Sequence, residues 1–407
     1  MPPFPARSGV ALLISIGKEV ESKMNEKEVA EIRRRFRPQQ TNITKIRGCC
    51  VNGRREILSE FSPSLALMDE AETEKFLAIL KKTLSGTLGK NLIDLSFATQ
   101  QVVSGEEHKL LMKLRSSLLE DEEAVHAFYE KIVQSIEIEG TYLILLACDR
   151  YDVPYRRKDG ESLEDASSEM FTYILCSICP IKLTKPALSY QVAENEFHNL
   201  REDWLVSAPE AGFLFPAFDG RCANLYGALY YTKSASQNHP ELIDSIFRVE
   251  PPTPADEQRE SFQSVLAESL EKDCSLDVVQ AVHSKLSALI ADHKANKEEE
   301  PLSISRETVR QVLSSCDVAE EHVAAFEQKY EETFGEGAEI RPQNIVNPKQ
   351  LEVCTPDVTI RVNPERGDLI ETRVLNGIKY ILIRADEGVE VNGVNIHITP
   401  TEEETQA

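Results

Sequence analysis

Four runs rich in β-branched and aromatic residues, Thr141–Cys148, Phe171–Leu183, Ala211–Phe218 and Asn224–Thr232, follow one another without a regular helix between them. They are bounded by Pro, Gly and Asp, the residues that end strands and make turns. Parallel neighbours need a long crossover, usually helical, whereas antiparallel neighbours need only a turn. The runs therefore predict a mostly antiparallel sheet rather than a doubly wound parallel one. Upstream the period changes to that of helices. Asn25 caps a helix with Glu28 three residues on, Val29, Ile32 and Phe36 form its apolar stripe, and Pro38 ends it. Asp69–Leu84 turns Phe76, Leu77, Leu80 and Leu84 to one side, and Glu106–Leu119 and Glu122–Ile138 read as two more helices. Between the first two helices, Ile43–Val51, Asn52-Gly53 and Arg54–Leu58 spell a hairpin with a type I′ turn. The expectation is an α+β core domain over residues 24–250, with helices packed on one face of the sheet.

Pro251-Pro252-Thr253-Pro254 breaks that pattern and opens a helical connector over 251–300, with helices at Ala255–Leu270 and Leu276–His293. Lys294–Pro301 reads as a charged linker. A C-terminal region over 301–400 then carries a helix pair, near Ser305–Ser315 and Glu320–Phe334, and a small β-containing unit. Its strands are Asp357–Asn363, Leu369–Leu375 and Ile378–Arg384, with hairpin turns at Asn376-Gly377 and Asn392-Gly393. Residues 401–407 form an acidic tail expected to be disordered. Residues 1–23 are expected to be a disordered or misannotated extension. Val10–Ile16 follows a single base, is far shorter than the roughly 20 residues of a membrane span, and has no cleavage site after it. No internal repeat is present.

Charge gives the first functional lead. The 407 residues carry a formal charge of -23, which argues against a whole-surface affinity for DNA or anionic lipid. Within that background Arg33, Arg34, Arg35, Arg37, Lys45, Arg47, Arg54 and Arg55 lie in a stretch without one acid. Guanidinium forks match phosphate oxygens, so this helix end and hairpin are the candidate nucleic-acid or polyanion-binding face. The competing reading is structural. Cations favour a helix C-terminus, Glu31 and Arg35 are spaced as an i,i+4 pair, and 68 acids are available as internal partners. Nine cysteines, two of them adjacent at Cys49 and Cys50, do not form a disulfide framework in so long a chain, which places it in a reducing cytoplasm.

Other motifs are weaker. Ser85–Asn91 (SGTLGKN) lacks the first glycine of a phosphate loop, has Asn91 where the magnesium-binding hydroxyl belongs, and follows a helix; it reads as a glycine-terminated helix. Cys176 and Cys179 form a lone C-x-x-C, with only His198 and Cys222 loosely nearby. On a strand, positions three apart face opposite ways, so a structural role is expected and no metal. Trp204, the single tryptophan, is expected to anchor packing from a loop. No local catalytic signature is present, and no cofactor is indicated. The reading is an intracellular binding or scaffolding protein. The alternatives are a hydrolase-like enzyme built from dispersed acids such as Asp149, Asp152 and Asp219, and an interaction module that docks an acidic partner. Oligomeric state is not legible.

Several segments carry a resemblance: EVAEIRRRFRP at 28–38, NITKIRGCCVNG at 42–53, KKTLSGTLGKNL at 81–92 and YILCSICPIKL at 173–183. GFLFPAFDGR at 212–221, TPDVTIRVNPE at 355–365 and VEVNGVNI at 389–396 continue it. Together they resemble the bacterial family catalogued as domain of unknown function forty-three-seventeen, from about Met24 to Ile398. The resemblance implies a bacterial cytoplasmic protein and brings no catalytic residues. In layout alone, the helix ending at Phe334-Gly335, the link near Asn344 and the β unit from Asp357 to Ile383 are similar to the bacterial nucleoid-associated protein family.

Overall fold

The computed structural model describes residues 23–397 apart from 157–161, 201, 297, 299–300 and 386–387. Residues 1–22 of the expected extension, the tail 401–407 and part of the 294–301 linker lie outside the described residues. Helix α1 (Glu26–Arg34) opens with a reciprocal cap. The Asn25 side chain accepts from the Lys27 and Glu28 N–H groups, and the Glu28 carboxylate accepts from the Asn25 N–H. Strands β1 (Ile46–Val51) and β2 (Ile57–Phe61) pair next. Helix α2 (Glu70–Lys82), capped by Asp69, leads to β3 (Leu92–Ser96). Helices α3 (Thr99–Ser104), α4 (Glu106–Ser116) and α5 (Glu122–Ser135) precede two long strands, β4 (Tyr142–Arg156) and β5 (Ser162–Leu183). A separate hairpin, β6 (Ala187–Gln191) with β7 (Glu196–Leu200), is followed by β8 (Trp204–Val206), which pairs with the end of β5. Strands β9 (Ala211–Phe215), β10 (Ala217–Asp219), β11 (Cys222–Asn224) and β12 (Gly227–Thr232) and helix α6 (Pro240–Phe247) complete this unit.

The main sheet runs β2-β1-β4-β5-β9-β12-β3, with every neighbouring pair antiparallel. Helices cover both of its faces, not one. On one side Ile144, Leu146, Ile174, Cys176, Phe213 and Tyr230 pack under α4, α5 and α6. On the other, Leu145, Ala147, Tyr173, Leu175, Leu214 and Leu229 pack under α1 and α2 and beside the β10–β11 hairpin. The one-face expectation fails because alternate residues of the central strands are equally apolar, so each face must be buried separately. Gly212 lets α2 approach. A Cβ there would lie 2.3 Å from the Cys176 carbonyl oxygen and 2.6 Å from Thr83 Cγ2.

Helices α7 (Ala255–Leu270), α8 (Leu276–Asn296), α9 (Arg306–Ser315), α10 (Glu320–Phe334) and α11 (Pro342–Ile345) share a second core, built on Phe262, Leu270, Leu286, Leu313 and Phe326. The expected connector and helix pair thus form one bundle. The expected β unit is three two-stranded hairpins, β13 (Leu351–Cys354) with β14 (Thr359–Val362), β15 (Ile370–Leu375) with β16 (Ile378–Ile383), and β17 (Val389–Val391) with β18 (Val394–Ile396). Asn376-Gly377 and Asn392-Gly393 have the paired positive φ of a type I′ turn. Asn52-Gly53 does not. There Arg55 is the residue with positive φ, at 62°, and the Asn52 side chain instead accepts from the Arg54 and Glu56 N–H groups in a longer loop. Trp204 is 55% exposed at the strand end and anchors no core.

One polar network fixes α1 to the sheet. Asp149 on β4 is 1% exposed and accepts from Arg35 Nε at 3.1 Å and Nη2 at 3.3 Å, from the Asn42 N–H at 3.0 Å and from the Tyr173 hydroxyl at 2.9 Å. Beside it Arg221 donates to both oxygens of Glu31 on α1, at 2.8 and 3.2 Å, and the Tyr151 hydroxyl donates to Glu31 at 2.7 Å. A buried charge is tolerable only when its hydrogen-bond sites are filled, and removing one partner typically costs about 3–5 kcal/mol. Asp149→Asn leaves Arg35 without its counter-charge and sets an amide against donors. Urea unfolding should show a loss of at least about 2 kcal/mol, within the reach of that penalty. A variant as stable as the parent would mean that the network does not hold α1.

Candidate polyanion interface

The eight basic residues do not share a face. Arg33, Arg34, Arg35 and Arg37 stand at the C-terminal end of α1, on the Asp149 side of the sheet. Lys45, Arg47 and Arg55 reach towards α5, on the opposite side. Arg47, 7% exposed, donates from Nε to the Leu119 carbonyl at 2.9 Å and forks onto Glu122 at 2.7 and 3.1 Å. This clamps the turn between α4 and α5. Lys45 lies 2.9 Å from Glu120, and Arg55 lies 2.7 Å from Glu137 beyond the end of α5. Arg35 is committed to Asp149. Arg34, Arg37 and Arg54 are exposed and Arg33 is half-buried; none of the four pairs with a carboxylate among the described residues. Arg54 sits apart, in the β1–β2 loop.

The dispersed acids Asp149, Asp152 and Asp219 belong to strands β4 and β10. Asp149 is saturated by its network, Asp219 on β10 accepts from the Asn224 side chain at 3.2 Å, and Asp152 lies on β4, three residues beyond Asp149. No cluster of three or more His, Cys, Asp or Glu side chains suited to a metal occurs among the described residues. Cys176 points into the core under α5, while Cys179 faces the other way along the same strand. Both are buried, and burial pushes the Cys179 thiol up to about 12 and the Cys176 thiol well above its ordinary value. Cys49 is likewise pushed up to about 12, by burial first and by Glu60 and Cys50 beside it. In the SGTLGKN turn, the Lys90, Asn91 and Leu92 N–H groups all donate to the Thr87 carbonyl, so the loop amides are spent internally.

A second basic feature emerges only from the tertiary structure. A cleft of about 740 Å³ opens between the SGTLGKN turn, the start of α1 and the bundle helices α8 and α11. Lys27, Lys90, Arg259, Lys294 and Arg341 line it, against the carboxylates of Glu26 and Glu298. Arg341 crosses between the two cores to Asp94, at 3.2 Å. Burial pushes the Asp94 carboxyl up, while Arg341 draws it down. Gly89 makes room for that arm: with φ of 78°, a Cβ there would lie 2.1 Å from Arg341 Cδ. These cations come from five distant stretches of chain, so no local pattern announces them. Lys90 alone falls within a segment that the sequence raises as a phosphate-binding candidate.

The sequence model of the family described as Domain of unknown function (DUF4317) matches residues 24–394, and the chain belongs to that family. No curated protein and no solved structure matches it. No helix among the described residues is long and apolar enough to cross a membrane.

The thiol environments are directly testable. Under native conditions iodoacetamide should modify the exposed Cys222 and Cys354 and spare Cys49, Cys176 and Cys179, which react only after unfolding. Peptide mass spectrometry checks this, and metal analysis should find no stoichiometric zinc. About one zinc per chain, lost in a Cys176→Ser, Cys179→Ser variant, would recruit these residues as ligands.

Proposed function

We propose that this is a bacterial cytoplasmic binding or scaffolding protein that holds nucleic acid or a similar polyanion at the C-terminal end of α1. The observation that carries the reading is the division among its cations. Arg35, Lys45, Arg47 and Arg55 are neutralised by the protein's own carboxylates, whereas Arg33, Arg34 and Arg37 have no such partner among the described residues. Arg33 and Arg34 occupy the last turn of α1 and Arg37 lies three residues past its end, so the three charges are concentrated where the helix stops. Their charge faces a ligand through an acidic surround, which keeps the contact small and dependent on salt. An acidic protein surface is the second reading of the same patch, because carboxylates meet guanidinium forks as phosphates do.

Anisotropy titrations with duplex DNA and with single-stranded RNA separate the two. Three contacted phosphates on duplex DNA should give a log–log salt slope of about -3. Arg33, Arg34 and Arg37 together replaced by glutamine should abolish that slope without altering stability. Arg47→Gln should instead lower stability by roughly 1–3 kcal/mol and leave binding intact, because it exposes the Leu119 carbonyl to an unmade hydrogen bond. Absence of binding to either polymer at low salt would remove the nucleic-acid reading.

A further inference from the structure

The cleft between the two cores is a different kind of site from the α1 patch. Its volume, about 740 Å³, lies within the usual span of small-molecule pockets, roughly 300–1,000 Å³, and it is formed where two packed units meet. Its walls divide by chemistry. Leu88, Ile290, Leu302, Val346 and Pro348 supply apolar surface. Five cations line the cleft against two lining carboxylates, and they still outnumber the acids when Asp256 and Asp94, the partners of Arg259 and Arg341, are added, in a chain of formal charge -23. Such a reversal concentrates field lines on a bound anion within a low-dielectric wall.

The cations are also held in different ways. Arg259 is braced by Asp256 at 3.0 Å and Arg341 by Asp94 at 3.2 Å, so the two guanidinium groups are oriented before any ligand arrives. Lys90 and Lys294 have no carboxylate partner among the described residues. A further polar group is unsatisfied. Asn344, 4% exposed on α11, donates from Nδ2 to the Gly89 carbonyl and to Gln258 Oε1, both at 3.0 Å, while its buried Oδ1 accepts nothing among the described residues. Buried polar atoms without a partner are uncommon, and they mark places where a water or ligand completes the set.

We infer that this cleft binds a small phosphate-bearing organic molecule, its phosphates held by Lys90, Lys294, Arg259 and Arg341 and its ring or other apolar part against Leu88 and Ile290. The phosphates meet point charges and pre-oriented forks, and the apolar wall excludes a fully hydrated inorganic ion as the preferred occupant. A ligand seated there touches the SGTLGKN turn and the helical bundle at once, so it also ties the two cores together. Binding to the folded state alone then raises thermal stability by mass action.

Calorimetric titration of the full chain tests this, with inorganic pyrophosphate and adenosine diphosphate as probes, both without metal. Adenosine diphosphate should bind with a Kd below about 1 mM and at least about ten-fold more tightly than pyrophosphate, and should raise the melting temperature. The Lys90→Glu, Lys294→Glu variant should lose at least about ten-fold in affinity for both probes, a change of some 1.4 kcal/mol. Neither side chain meets a carboxylate among the described residues, so the parent melting temperature should persist. The variant with Arg33, Arg34 and Arg37 replaced by glutamine should bind as the parent does, which keeps this site distinct from the polymer patch. No heat with either probe, equal affinity for the two, or binding unaffected by the lysine reversals would each overturn the assignment.

Discussion

Asp149 places a carboxylate in the middle of a core and thereby dictates how the N-terminal helix must lie. A charge at that depth is unfavourable unless every lone pair finds a donor, and here the donors come from three places: Arg35 at the end of α1, the Asn42 backbone and Tyr173 on the neighbouring strand. Satisfying Asp149 therefore fixes the exit of α1 and the strand that follows it. The second pair, Glu31 with Arg221, pins the same helix one turn earlier and joins it to the turn between β10 and β11. Burial also pushes the Tyr173 hydroxyl well above its ordinary range, with the adjacent Asp149 charge adding to the effect, so it stays a donor.

The same economy explains how an acidic chain disposes of its basic segment. Arg47 forks onto Glu122 and a helix-end carbonyl, and Lys45 and Arg55 meet acids flanking α5. These contacts lock the helical layer of one face to the edge of the sheet. Of the segment's cations, only Arg33, Arg34 and Arg37 at the end of α1 and Arg54 in the β1–β2 loop stay without such partners among the described residues. Basic character in sequence is thus divided by tertiary structure into mortar and surface.

Much of the fold is legible from local pattern. Helix α10 spans Glu320–Phe334 as its period predicts, the Asn25 cap forms as its spacing to Glu28 predicts, and the two C-terminal Asn-Gly turns adopt the conformation their residues favour. The failures share a cause. At Asn52-Gly53 the same dipeptide makes a different turn, because the β1 ladder shifts register at Cys50 and Val51 and the loop is longer. The second helical layer follows from Thr141–Cys148 and Ala211–Phe215, which are apolar at successive positions. That is the mark of a strand buried on both sides.

The sequence by itself determined the antiparallel sheet, the positions of most long helices and the opposed facing of the two C-x-x-C cysteines, because each rests on neighbours within a few residues along the chain. It also announced the charge of the segment from Arg33 to Arg55. Which of those charges remain at the surface was decided only in three dimensions, where partners such as Asp149 and Glu122 arrive from more than 70 positions away. The cleft was decided there too. Lys90, Arg259, Lys294 and Arg341 carry no shared pattern, and they line one cavity only because the helical bundle docks against the turn before β3.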